Sequence, residues 1–248
     1  MKQVMLVTGG SRGIGAATSR LAARRGYAVA VNYTSNEGAA NDVVGAIREA
    51  GGTAIAVRGD VANEDDVLAL FREVDARLGR LTALVNNAGV VDVSQRVDEM
   101  SYARLKRMFD INVIGSLLCA REAVRRMSTR HGGAGGGIVN VSSAASRLGS
   151  PGQYVDYAAA KGAIDAFTIG LAKEVGGEGI RVNAVRPGLI ETDIHASGGL
   201  PDRVRDLAHQ VPMKRGGQAE EVAHAILWLL SDEASYATMS LLDVSGGR

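Results

Sequence analysis

The feature that most constrains the fold is an alternation between short apolar runs and longer amphipathic stretches, sustained along all 248 residues. The stretches between the runs are long enough for helices, and strands that alternate with helices form parallel sheets. The sequence therefore predicts an α/β fold with a doubly wound, seven-stranded parallel sheet and helices on both faces. The predicted strands are Val4–Val7, Ala28–Tyr33, Ala54–Val57, Ala83–Asn86, Ile138–Val141, Val182–Val185 and Leu241–Val244.

Two local patterns refine this prediction. The runs beginning at Val4, Ile138 and Leu241 are apolar on both faces of the pleat, as expected of strands covered on both sides. The segment 63–66 reads Asn-Glu-Asp-Asp and precedes an apolar stripe, which predicts a capped helix start with an acidic first turn.

Composition excludes several classes of protein. With 28 Lys and Arg against 27 Asp and Glu, the chain lacks the basic excess that nucleic acid or an anionic membrane surface would require. No apolar run reaches the ~20 residues of a membrane span. The first run is cut short at Thr8, which argues against a signal peptide, and the single Cys119 fits a reducing compartment. We expect one cytoplasmic domain over 1–248, without a metal site, because the four histidines show no ligand spacing.

A glycine-rich turn follows the first predicted strand. The segment 8–15 reads Thr-Gly-Gly-Ser-Arg-Gly-Ile-Gly and leads into a helical stripe. Glycines at this position permit a tight turn and let phosphates approach backbone N–H groups at a helix N-terminus. The alternative is a glycine-rich turn without a ligand, but its position between strand and helix favours a dinucleotide.

Tyr157 and Lys161 are spaced for acid–base chemistry. A separation of four places their Cβ atoms about 5–6 Å apart on one helix face. Free tyrosine titrates near 10, and a neighbouring ammonium stabilises the phenolate and lowers that pKa. We therefore predict that Tyr157 is a general acid and base, the alternative being an ordinary surface pair.

These motifs together resemble the short-chain dehydrogenase/reductase family, and the likeness extends to 3-oxoacyl carrier-protein reductases and glucose dehydrogenase-like members. The family elements are Gly-x-x-x-Gly-x-Gly at 9–15, Asn-Asn-Ala-Gly at 86–89, and Tyr-x-x-x-Lys at 157–161, in family order over nearly the whole chain. The resemblance implies a Rossmann-type fold and a nicotinamide cofactor. It implies cofactor contacts at Gly9, Ser11, Arg12, Gly13, Ile14, Gly15, Asn32, Tyr33, Thr34, Asp60, Val61, Asn87, Ala88, Gly89, Tyr157, Lys161, Pro187, Gly188, Ile190 and Thr192.

The resemblance also implies catalytic roles for Asn112, Ser143, Tyr157 and Lys161. Ser143 would bond the substrate oxygen, with Ser142 as the alternative, and Asn112 would hold a water through its main chain, unless it is merely a polar residue inside a helix. The gap between Ser143 and Tyr157 is one longer than the commonest family spacing, which predicts one inserted residue within 146–153.

NADP(H) is favoured over NAD(H), which remains the alternative cofactor. A site that selects NAD usually has a carboxylate about 20 residues past the glycines. The second predicted strand instead ends in Asn32, Tyr33, Thr34 and Ser35. Arg12 resembles the basic residue of NADP-preferring relatives, and a guanidinium makes parallel bonds to a phosphate. Asn32 and Ser35 would serve a ribose hydroxyl in the alternative.

The remaining expectations concern substrate and partners. The family implies a small carbonyl or alcohol substrate, a mobile flap at about 191–213, and a homotetramer that buries the segment 102–127 and the Tyr157 helix. Candidate substrate contacts are Val93, Gln95, Tyr154 and His195, and Met239 replaces a common family glycine at the entry to the last strand. A sugar-nucleotide epimerase would need more chain after Pro187. A cofactor-binding regulatory or scaffold protein without turnover stays open as the alternative function.

Overall fold

The computed structural model describes residues 3–192, 198–200 and 202–248. Its seven strands pair in parallel in the order β3-β2-β1-β4-β5-β6-β7, which confirms the predicted sheet. The strands are β1 Val4–Val7, β2 Ala28–Tyr33, β3 Thr53–Arg58, β4 Ala83–Asn86, β5 Gly136–Val141, β6 Ile180–Pro187 and β7 Leu241–Val244.

Helices connect these strands and cover both faces of the sheet. They are α1 Gly13–Arg24, α2 Glu37–Glu49, α3 Glu64–Arg77, α4 Tyr102–Phe109, α5 Gly115–Met127, α6 Ala145–Leu148, α7 Val155–Val175, α8 Arg203–Leu207 and α9 Ala219–Leu230. A π-helical turn, Asp110–Ile114, joins α4 to α5. Within the described ranges, no helix combines the length and the apolar character needed to cross a bilayer.

The alternating side chains of the strands divide the core into two layers. Met5 and Val7 pack with α1, α2 and α9 on one face, whereas Val4 and Leu6 pack with α3, α5 and α7 on the other. All four side chains are buried. Because β1 is covered on both faces, its sequence is a continuous apolar run.

Strand order reverses between β1 and β4, since β1 lies between β2 and β4 in the sheet. The chain adds β2 and β3 on one side of β1, and then adds β4, β5, β6 and β7 on the other side. Ligands of open parallel sheets bind beyond the carboxyl ends of the strands at such a reversal. The topology therefore fixes where a cleft opens.

The predicted start of α3 is confirmed, whereas the prediction for the last strand is wrong. Asn63 caps α3 by accepting a hydrogen bond from the Asp66 N–H at 3.2 Å. The strand β7 was expected to be covered on both faces, but Asp243 is exposed and Leu241 and Leu242 are only partly buried. The reason is that β7 forms the edge of the sheet and pairs with β6 alone.

Candidate active site

A cleft of about 700 Å³ opens beyond the carboxyl ends of the strands, around β1 and β4, where the strand order reverses. This volume is typical of small-molecule and cofactor sites. The predicted site residues that line it are Gly9, Ser11, Arg12, Gly13, Ile14, Tyr33, Thr34, Asp60, Val61, Asn87, Ala88, Gly89, Ser143, Tyr157, Lys161, Pro187, Gly188, Ile190 and Thr192. Ser35 and Tyr154 also line it.

The glycine turn is shaped to admit a phosphate. Gly9 and Gly13 have φ angles of 59° and 49°, in the left-handed region that favours glycine. Arg12 occupies the N-cap of α1 without a side-chain cap bond, and the first turn of α1 contains no acidic residue. The N-terminal amides of α1 therefore face the cleft without a competing side-chain acceptor, which suits an anionic group.

Two predicted cofactor contacts, Asn32 and Gly15, instead support the turn from behind and do not line the cleft. The buried Asn32 side chain accepts a hydrogen bond from the Gly9 N–H at 3.2 Å and donates to the Gly59 carbonyl at 2.9 Å. A Cβ at Gly15 would lie 2.4 Å from the Gly9 carbonyl oxygen. These two positions hold the glycine turn against α1 and β3, and a direct contact of either with a cofactor stays a prediction.

The end of β4 clamps the same turn. The Asn87 side chain donates to the carbonyls of Thr8 and Gly9 at 2.9 and 3.0 Å. The Thr8 hydroxyl accepts from the main-chain N–H groups of Asn87 and Ala88, both at 3.0 Å. Thr8 thus links the two strands that border the cleft.

Ser143, Tyr157 and Lys161 meet at the cleft. The Ser143 side chain lies near enough to Tyr157 to lower the pKa of its phenol. The Lys161 Nζ lies 5.5 Å from the centroid of the Tyr157 ring and donates to the Val141 carbonyl at 2.7 Å. Ser142 also lines the cleft, but it is buried and its hydroxyl donates to the Lys161 carbonyl at 3.2 Å. Ser143, whose side chain lies near the phenol, stays the predicted substrate contact.

Burial controls the ionisation of this cluster. Burial lowers the pKa of Lys161 to about 8, although the nearby Asp165 opposes that shift. Burial raises the pKa of Tyr157 above its ordinary value, and the nearby Ser143 only partly counteracts it. The expected depression of the phenol pKa is therefore wrong for the protein alone, because desolvation is the largest influence on Tyr157.

Asn112 lies in the π-helical turn between α4 and α5. Its side chain accepts from the Val90 N–H at 3.2 Å and donates to the carbonyls of Val90 and Met108, both at 3.0 Å. A Cβ at Gly89 would lie 2.7 Å from the Asn112 Oδ1 and 3.5 Å from the Lys161 Nζ. The glycine thus lets Asn112 and Lys161 approach the same point, and π-helical turns are frequent at functional sites.

Comparison with known proteins shows the family to which this chain belongs. A family model described as enoyl-(acyl carrier protein) reductase matches residues 9–248. An uncharacterized oxidoreductase of Escherichia coli K12, YgfF, is 56% identical over 245 residues, covering 99% of each chain. The cis-4-hydroxycyclohexanecarboxylate dehydrogenase of Sinomonas cyclohexanicum is 43% identical over 249 residues, covering 99% of this chain and 96% of that protein.

A solved short-chain dehydrogenase/reductase of Serratia marcescens superposes with a TM-score of 0.90 at 33% identity, covering 99% of this chain and 97% of that one. This chain is a short-chain dehydrogenase/reductase. It is accordingly an NAD(P)-dependent oxidoreductase, and the resemblance inferred from its motifs is confirmed.

This short-chain dehydrogenase/reductase has a buried ion pair beside Tyr157 that sequence reasoning missed. The Arg104 Nε and the Asp156 Oδ2 are 2.8 Å apart, with side chains 6% and 0% exposed. Asp156 also accepts from the Tyr157 N–H at 2.9 Å. These residues are separated by 52 positions, so only the fold brings them together.

The same arginine organises the loop that was expected to contact substrate. The Arg104 Nη1 donates to the Val93 carbonyl at 2.7 Å and to the Gln95 side chain at 2.8 Å. Neither Val93 nor Gln95 lines the cleft, so their contribution is to tie this loop to α7. His195 and part of the expected flap lie outside the described residues.

Proposed function

We propose that this short-chain dehydrogenase/reductase uses NADP(H) to interconvert a small carbonyl compound and the corresponding secondary alcohol, with Tyr157 as general acid and base. The observation that carries the proposal is the convergence of Ser143, Tyr157 and Lys161 on one wall of the cleft. The Sinomonas relative is named as a dehydrogenase of a hydroxylated cyclohexane, which is a secondary alcohol. We propose this class of substrate for the present enzyme.

Each residue of this group has a separate role in the proposed reaction. A bound nicotinamide supplies or accepts the hydride. Ser143 donates a hydrogen bond to the substrate oxygen and orients it toward Tyr157. In reduction, Tyr157 gives its phenolic proton to that oxygen, and in oxidation it removes the proton. Lys161 stabilises the phenolate by its charge, and Asn112 belongs to the path along which the proton is replaced.

Replacing Tyr157 tests the proposal directly. We expect Tyr157→Phe to lower kcat about 10²–10⁴-fold, the range attributed to a general acid, while the Kd for NADPH stays nearly unchanged. The measurement is NADPH consumption with ketones, quinones and 3-oxoacyl thioesters, beside a fluorescence titration of NADPH. Tyr236→Phe is the matched control, because Tyr236 is fully exposed and does not line the cleft.

Two results would contradict the proposal. An active Tyr157→Phe variant would remove Tyr157 from the proton transfer. NADPH binding by the wild-type protein without turnover of any substrate would favour the regulatory or scaffold alternative.

The preference for NADP(H) rests on charge at the end of β2. Residues 33–36 line the cleft there and include no carboxylate. Arg12 lies on the same cleft, exposed and with φ in the extended region. The Arg58 Nε donates to the Thr34 carbonyl at 3.2 Å and adds a second positive charge nearby. A 2′-phosphate is attracted to this surface, whereas NAD offers it only a hydroxyl.

Replacing Arg12 tests whether its guanidinium distinguishes NADPH from NADH. We expect Arg12→Gln to raise the KM for NADPH about tenfold or more, the loss of one charge-assisted bond, and to leave the KM for NADH nearly unchanged. The control is Arg24→Gln, in the last turn of α1 and away from the cleft. Equal changes for both cofactors would show that Arg12 does not select the phosphate.

We also propose that the enzyme is a cytosolic homotetramer. Tyr102, Phe109 and Ile114 are exposed along α4 and the π-helical turn. Exposed apolar side chains grouped on one element are typical of a surface that another chain covers. Cys119 is the only cysteine in the sequence, which fits a reducing compartment.

A further inference from the structure

Two arginines that the proposed reaction does not use line the cleft together with Tyr154 and Tyr157. They are Arg203, at the start of α8, and Arg248. The Arg203 guanidinium carbon lies 5.2 Å from the centroid of the Tyr154 ring. Tyr154 precedes Tyr157 by three residues at the start of α7, a spacing that makes side chains neighbours on a helix. Arg203 therefore lies beside the N-terminal end of the helix that contains Tyr157.

The charge of these two arginines is unbalanced. Within the described ranges, no Asp or Glu forms an ion pair with either one. The acidic residues among the described lining of the cleft have other partners: Asp92 pairs with Arg107 at 3.8 Å, and Asp60 accepts from the Ala62 N–H. Burial and the charge of Arg203 lower the pKa of Arg248, so the charged form of Arg248 bears both a cost of burial and a cost of repulsion. A bound anion would relieve both costs.

Hydrogen bonds anchor the main chain at both arginines, and a ring contact supports one of the two guanidinium groups. The Arg248 carbonyl oxygen accepts from the Arg147 Nη2 at 3.0 Å and from the Ser245 Oγ at 2.9 Å. The Arg203 N–H donates to the Leu200 carbonyl at 3.1 Å, and the Tyr154 ring supports its guanidinium. Groups fixed before binding lose less conformational entropy when the ligand arrives.

We propose that Arg203 and Arg248 form an anion subsite, and that the preferred substrate bears a carboxylate or phosphate remote from its reacting carbonyl. The inference rests on the proposed function and specifies its substrate class. Guanidinium groups suit this role because their planar N–H groups match the oxygens of carboxylates and phosphates. One end of the substrate is held by this pair while Ser143 and Tyr157 contact the other.

The first experiment compares two ketones that differ only in charge, 4-oxocyclohexanecarboxylate and its primary amide. We expect wild-type kcat/KM to favour the carboxylate about tenfold or more, the effect of a charge-assisted bond. Arg203→Gln and Arg248→Gln should each remove most of that preference and leave the amide nearly unaffected. The matched control is Arg205→Gln, also on α8, because Arg205 is exposed and paired with Asp202 at 3.0 Å.

Acetoacetyl-coenzyme A forms a second arm, since its charge is carried by phosphates. If both variants lose activity on this thioester and keep it on 4-oxocyclohexanecarboxylate, the subsite holds a phosphate, and the reverse pattern assigns it to a carboxylate. Equal losses on the amide and on both anions would overturn the inference, as would a wild-type enzyme indifferent to charge.

A binding measurement separates this inference from the proposed function. Calorimetric titration of cyclohexanecarboxylate into the protein saturated with NADP⁺ requires no turnover. We expect each arginine variant to weaken this binding about tenfold. Failure to reduce any ketone, with this binding pattern intact, would refute the proposed reaction and leave the anion subsite standing. Binding that is equal in wild type and both variants would refute the subsite alone.

Discussion

Ser142 and Ser143 are adjacent in the chain, yet their hydroxyls have different surroundings. Adjacent residues at the end of a strand point in opposite directions, and although both line the cleft their hydroxyls have different surroundings. The Ser142 hydroxyl bonds to the Lys161 carbonyl and supports α7, whereas the Ser143 side chain lies near enough to Tyr157 to lower the pKa of its phenol. The two side chains are chemically identical, so the different surroundings of their hydroxyls follow from where the backbone places each one.

Ionisation of Lys161 should limit activity at high pH. The pKa of Lys161 is lowered to about 8, whereas the pKa of Tyr157 is raised, so the lysine loses its proton first. We expect kcat/KM for NADPH, which reports the free enzyme, to fall as pH rises above about 8. The measurement is a pH profile at saturating carbonyl substrate. NADPH binding to Tyr157→Phe should show the same midpoint, because that variant lacks the phenol.

Stability should respond to pH in the opposite direction. The unfolded lysine holds its proton up to about 10.5, whereas the folded one releases it near 8, so the unfolded state binds more protons between these values. The free energy of unfolding therefore increases as pH rises through this window. Urea titrations of wild type and Lys161→Met test this, since the variant should lose the Lys161 contribution. Identical pH profiles for the two proteins would contradict the assignment.

Sequence reasoning at the residue level succeeded where spacing determines proximity. Tyr157 and Lys161 share a helix, and the structure brings them together as expected. The ionisation of Tyr157 was mispredicted because burial depends on what packs around the helix. The Arg104–Asp156 pair and the Arg203–Arg248 pair join distant segments, so no local pattern indicates them.

Among the elements, strands covered on both faces were the easiest to predict. The bounds of β1, β2 and β4 match their apolar runs because each lies inside the sheet. The strand β3 is longer than its run, because Thr53 and Arg58 join the ladder with polar side chains at the sheet edge. The π-helical turn was not predicted, since the loop that Asn112 binds is remote in sequence.

Met239 places a side chain where the backbone favours glycine. Its φ is 65°, and its N–H donates to the Val182 carbonyl at 2.7 Å, which fixes the entry to β7. We expect Met239→Gly to raise the free energy of unfolding by about 0.5–1 kcal/mol, the relief of left-handed strain less the entropy of glycine. Urea denaturation measures the change. Met239→Ala is the control, because alanine keeps the strain and should give no gain.

A loss of stability in Met239→Gly would contradict this expectation. It would show that packing of the partly exposed Met239 side chain outweighs the backbone strain. Activity should be unchanged in either variant, because Met239 does not line the cleft.

At the scale of the whole molecule, the parallel sheet gathers a site from the full length of the chain. The cleft takes residues from Gly9 to Arg248 because all seven strands end at the same edge. Because the strands are parallel, the residues that follow them can be predicted from the sequence to lie in one site. The shape of its substrate end depends on loops after β4 and β6, which no periodic pattern in the sequence describes.

The proposed tetramer would place a neighbouring chain against α4 and the π-helical turn. Phe109 and Ile114 are exposed on either side of the buried Asn112 along the chain, so a partner that covers them would contact the turn that contains Asn112. We expect the native protein to sediment at about four times the mass of one chain, as apolar helix faces favour closed symmetric assembly. Analytical ultracentrifugation measures that mass.

A charged substitution at this surface tests the same prediction. Ile114→Lys should shift the protein to smaller species, because an unpaired ammonium is costly in a buried interface. Tyr236→Lys is the control, since Tyr236 is fully exposed on a different part of the surface. If the Ile114→Lys variant keeps the wild-type mass, α4 and the π-helical turn are not the contact. If it dissociates and also loses kcat, support of the Asn112 turn by a partner is part of how the active site is held together.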